Sequence, residues 1–79
     1  MDWVTNIRSI HEILKNKGFA DVSDELAYEQ LKGGTGGEIF ILAVSKLISI
    51  KEQRPEVYAL IKEEAEWIIL YARKIHYLP

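Results

Sequence analysis

The chain contains no cysteine, which excludes disulfide staples, thiolate zinc sites, cysteine nucleophiles and dithiol redox chemistry together. Long apolar runs are also missing. The longest, 39–44 and 67–72, hold six residues each, whereas a membrane helix needs about 20. Nor is there an excess of one charge, since twelve acidic against ten basic side chains leave a formal net charge of −2. That balance does not suit a polycation gripping nucleic acid or anionic lipid, so neither is an expected partner. The first residues scatter Asp2 and Arg8 among apolar positions instead of placing a basic start before an apolar block. No secretory signal is read there, and a cytoplasmic location is expected.

What is present is a globular composition. Apolar residues make up 48% and charged residues 28% of the 79 positions, well away from the composition of disordered chains. A single helical domain over residues 1–79 is expected. A chain this short buries only roughly 60% of its unfolded surface, so a partner covering an apolar face would add materially to its stability.

Apolar spacing predicts an all-α fold, a small four-helix bundle with helices over about 2–17, 21–32, 36–51 and 55–77. Three helices with a short second one are the fallback. Trp3, Ile7, Ile10 and Leu14 form one face of the first helix, with Val4 and Ile13 at its flanks. Asp2 serves as N-cap, Lys15 and Lys17 suit the C-terminal dipole, and Gly18 followed by Phe19 gives a Schellman ending. The second helix is expected to start with Asp21 or Ser23 as N-cap. Gly33-Gly34-Thr35-Gly36-Gly37 forces a turn and permits positive φ. Thr35 and Glu38 have the spacing of a capping box that starts the third helix at Gly36. Nine of the twelve residues over 39–50 are apolar, which predicts a central helix packed on several sides. Pro55 opens the fourth helix, whose stripe of Val57, Leu60, Ile61, Ala65, Ile68, Tyr71, Ala72 and Ile75 is expected to cover the whole bundle.

The glycine-rich turn is a poor phosphate loop. Gly37 is followed by Glu38 and Ile39 rather than Lys-Ser or Lys-Thr, Ile39 stands where a dinucleotide fingerprint needs glycine, and Glu38 would repel phosphate. His11 and His76 have no second histidine at helical spacing and belong to no Glu-x-x-His unit, so no metal and no cofactor are expected. Ser9 and His11 project about 160° apart on one helix and cannot act together. His11 is read as a half-buried histidine satisfied by a neighbour, and Glu64, inside the fourth stripe, as paired with Arg8, His11 or a tyrosine, protonated, or at the wet edge. A pocket using Glu64 and His11 is the weakest functional alternative. Without a second carboxylate placed to face Glu64, no enzyme is expected.

Two surfaces remain. Asp21, Asp24, Glu25 and Glu29 surround Tyr28 with no basic residue over 21–29. Asp24, Glu25, Tyr28 and Glu29 are therefore the candidate partner-binding residues, suited to a basic protein. Trp67, Leu70 and Tyr77 lie off the main stripe of the fourth helix and form a candidate dimer patch.

The stretch Gly34-Thr35-Gly36-Gly37-Glu38-Ile39 resembles a turn in small uncharacterised bacterial all-helical proteins, a likeness that implies no activity. In size, helicity and acidic second helix the chain is similar in kind to bacterial immunity proteins that cap nuclease toxins. Their Asp-x-x-Tyr-Tyr-Pro motif is absent, so no functional residue transfers. The expected function is a small bacterial protein-binding module, in the form of a toxin-neutralising immunity protein acting by occlusion. The alternative is a homodimeric structural or regulatory protein.

Overall fold

The computed structural model describes residues 2–75. They form α1 (Trp3–Asn16), α2 (Ala20–Leu31), α3 (Gly36–Gln53) and α4 (Pro55–Lys74), with no strand among the described residues. Lys17 to Phe19, Lys32 to Thr35 and Arg54 alone connect them, and connections this short oblige chain neighbours to pack together. The backbones of α1 and α2, α2 and α3, α3 and α4, and α4 and α1 lie against each other, whereas neither diagonal pair does. The four-helix bundle is thus a ring in chain order, closed by α4 on α1.

Local chemistry accounts for the ends. The amide of Thr5 donates to Asp2 Oδ1 at 2.7 Å, which holds the Asp2 carboxyl below its usual range. After α1 the amide of Phe19 reaches the carbonyl of Leu14 at 2.7 Å and that of Gly18 reaches Lys15 at 3.3 Å, with Gly18 at φ 89°. This is the full Schellman pairing. The Glu38 amide donates to Thr35 Oγ1 at 3.2 Å, and Pro55 occupies the start of α4.

The core takes fully buried side chains from every helix: Ile10 and Leu14, Leu26, Leu47, Ile61 and Ile68. Trp3 meets Phe40 edge-on with centroids 5.1 Å apart, and Phe40 meets Tyr71 at 5.8 Å, so an aromatic row crosses the ring where the backbones do not meet.

Several expectations need correction. α2 begins before Asp21: Phe19 stands at its N-cap without a side-chain bond, and its carbonyl accepts from Val22 and Ser23. The Val22 amide, which a side-chain cap would otherwise serve, is taken by that carbonyl. α3 is a corner of the ring rather than a central helix, touching α2 and α4 and leaving Ile41 40% exposed. α4 reaches α1 and α3 but not α2. Facing two helices rotates its buried arc, taking in Tyr58 and Ile69 and leaving Leu60 and Ile75 exposed. Among the described glycines only Gly18 has positive φ. Gly33 is required for another reason, since a Cβ there would lie 2.7 Å from the Ile39 amide nitrogen. The predicted end of the fourth helix at Tyr77 lies outside the described residues.

Candidate functional site

On α2 the positions 21, 24, 25 and 28 follow the i, i+3, i+4, i+7 rule and share one side. Asp21, Asp24, Glu25, Tyr28 and Glu29 line a shallow depression of about 310 Å³ together with Lys46 of α3. The four predicted residues are therefore brought together. Their charge is not all free, because Lys46 Nζ lies 2.9 Å from Glu25 Oε1 and Lys32 Nζ lies 3.1 Å from Glu29 Oε1. Lys32 also sits over the Tyr28 ring, 4.9 Å from its centroid. Asp21 and Asp24 have no ion pair among the described residues. Tyr28 is 64% exposed and Leu31, one turn on, is 82% exposed. Leu31 lies about 60° from Tyr28 around the helix and opposite the buried Val22 and Leu26.

The other side of α2 holds it to α1. His11 Nδ1 lies 2.6 Å from Ser23 Oγ and Nε2 lies 3.0 Å from Gln30 Oε1. With the amide in this orientation the ring donates to Gln30 through Nε2 and accepts from the Ser23 hydroxyl through Nδ1. Ser23 and Gln30 are seven residues apart and so project on one side two turns apart. A serine hydroxyl on a histidine is the starting arrangement of nucleophilic catalysis. Here Ser23 is only 1% exposed, and the pair fastens two helices. Its linkage to Ser23 is tertiary, which is why the sequence offered Ser23 as a helix cap instead.

A second polar cluster lies between α3 and α4. The Tyr58 hydroxyl donates to the Glu66 carboxylate, Lys51 Nζ lies 3.2 Å from Glu66 Oε2, and the same ammonium sits over the Tyr58 ring. Burial pushes the Tyr58 phenol well above its ordinary value, and the hydrogen bond to Glu66 and the carboxylate's charge raise it further. The bond from Tyr58 holds Glu66 below the usual carboxylate range against the opposing effect of burial, with Lys51 adding to the fall.

Glu64 makes no hydrogen bond or ion pair among the described residues, so the expected pairing with Arg8, His11 or a tyrosine is corrected. The rotation of α4 leaves it at the wet rim of an open depression of about 670 Å³, with Ile13, Leu60, Glu63, Trp67 and Leu70. Trp67 is half-buried and stacks on Tyr71 at 5.3 Å, while Leu70 is 59% exposed. Tyr77, the third residue of that predicted patch, lies outside the described residues. No group of three metal-ligating side chains occurs among the described residues, and no described helix is long and apolar enough to cross a membrane. Compared with known protein families, curated proteins and solved structures, the chain matches none.

Proposed function

We propose that this protein is a binding module that docks a basic protein surface on the outer side of α2 and acts by occluding it. One observation carries the reading. The two most exposed large apolar side chains of the described residues, Leu31 and Tyr28, share a helix side with Asp21 and Asp24, carboxylates without an ion pair among the described residues. An aromatic anchor supplies contact energy at low entropic cost, and flanking carboxylates steer and orient a cationic partner. The likeness in kind to bacterial immunity proteins makes a cationic toxin domain, met in the cytoplasm, the partner class we favour. Such a module needs no cofactor.

The test is surface binding of a panel of basic nuclease domains to wild type and to Asp21→Lys/Asp24→Lys, two positions whose reversal breaks no internal pair. Capture should be lost with helical circular dichroism unchanged, and Tyr28→Ala should cost about 2 kcal/mol of binding. Binding that survives both variants rejects this surface. A second reading, a homodimer paired through α4, is favoured by the exposure of Leu70 beside Trp67.

A further inference from the structure

On the outer side of α4, Glu56, Leu60, Glu63, Trp67, Leu70 and Lys74 recur at alternating spacings of four and three, a series that the sequence continues to Tyr77. This is the spacing of a coiled-coil seam. It is offset from the buried residues Val57, Ile61, Ala65, Ile68 and Ala72, and although Trp67 also packs against the core, the series sets Leu60, Trp67 and Leu70 among the charged Glu56, Glu63 and Lys74 on the outer side of the helix. Leu60 and Leu70 are exposed. Glu63 and Lys74 are also exposed, and neither has an ion pair among the described residues. Eleven residues, about 16 Å of helix, keep them from meeting within one chain.

We propose that α4 pairs with α4 of a second copy, antiparallel, about a two-fold axis lying outside the helix at the height midway between residues 68 and 69. The proposal rests on the homodimer reading and adds its register. A two-fold at that point sets Trp67 against the second copy's Leu70, and Leu70 against its Trp67. It sets Glu63 against the second copy's Lys74, and Lys74 against its Glu63. Each of these charges thereby meets one opposite charge, the pair occurring twice in the dimer, and the helix dipoles oppose. A parallel pairing would instead face Glu63 with Glu63 and Lys74 with Lys74, which repel. Sliding the antiparallel pair by one heptad would leave the Glu63 carboxylate facing an indole.

Sedimentation equilibrium over a wide concentration range tests this, with circular dichroism confirming that each variant keeps its helices. Wild type should show a monomer–dimer equilibrium. Glu63→Lys alone and Lys74→Glu alone each turn two attractions into two repulsions and should weaken association about tenfold or more. Glu63→Lys/Lys74→Glu keeps the wild-type net charge of −2, restores opposite charges across the seam and should restore the dimer. A wild-type chain that stays monomeric throughout overturns the homodimer itself. A dimer that neither single reversal weakens, or that the double reversal fails to rescue, overturns the antiparallel register while leaving self-association standing.

Discussion

Removing the Ser23 hydroxyl isolates the bond that fastens α1 to α2. Ser23→Ala deletes a donor that is 1% exposed and leaves His11 Nδ1, 2.6 Å away, without a partner in a half-buried site. The net value of a hydrogen bond is about 0.5–1.5 kcal/mol, and an orphaned polar atom costs about 1–3 kcal/mol. Since the ring is only half-buried, the loss should fall at about 1–2 kcal/mol. A chain of this length has a total stability of about 4–12 kcal/mol, and each kcal/mol lowers Tm by about 4–8 °C. Urea unfolding followed by circular dichroism will read the change. The diagnostic measurement is the double-mutant cycle with His11→Phe: once the imidazole is gone, Ser23→Ala removes an orphan instead of creating one and should be close to neutral. A coupling of about 1 kcal/mol or more is expected, whereas two losses that add within about 0.5 kcal/mol would refute the direct pairing.

The Tyr58–Glu66–Lys51 cluster sets a pH window. Because the Tyr58 phenol is raised on folding, its contribution is complete below the unfolded value of about 10 and is lost as pH rises beyond it. Because Glu66 is lowered, its contribution is complete above the unfolded value of about 4.3 and is lost as pH falls through the folded one. Tyr58→Phe should therefore flatten the alkaline limb of the stability curve and remove the latest phenol from an ultraviolet titration; an unchanged limb counts against the cluster. At the turn before α3, Gly33→Ala forces a Cβ onto the Ile39 backbone and should cost about 1–3 kcal/mol. Gly36→Ala meets open space at the first residue of α3 and should be neutral or stabilising by up to about 1 kcal/mol. Equal effects on thermal unfolding would show that Gly33 is not required by that contact.

The parts of this fold that were legible in the sequence are those fixed within one or two helical turns. Asp2, Gly18 with Phe19, and Thr35 with Glu38 each act on amides or carbonyls a few residues away, Pro55 acts through its own fixed φ and missing N–H, and the stripe Ile7, Ile10 and Leu14 is a property of one helix. The parts that were not legible depend on which helices face each other. Ser23 is a good cap by type, and only the approach of His11 makes it a tertiary partner. Lys46 lies outside the acidic segment in sequence, yet it reaches Glu25 across the α2–α3 contact. Leu60 and Tyr58 exchange roles because α4 packs on two neighbours at once, a choice that a single-helix periodicity cannot contain. The acidic side of α2 was visible as a composition, whereas its partial neutralisation was not.

The ring order gives the two surfaces a definite relation. α2 and α4 are diagonal partners whose backbones do not meet, so the outer side of α2 and the seam of α4 point away from each other across the core. A two-fold through α4 would bury the seam and leave both copies of Tyr28 and Leu31 at the far ends of the assembly. Two docking surfaces held at a fixed separation convert a modest single contact into a strong one only for a partner whose own sites match that separation. If α2 docks a basic protein and α4 pairs as proposed, the diagonal arrangement would make self-association a selector among such partners: a monomer would discriminate by the surface of α2 alone, and a dimer by that surface and by spacing.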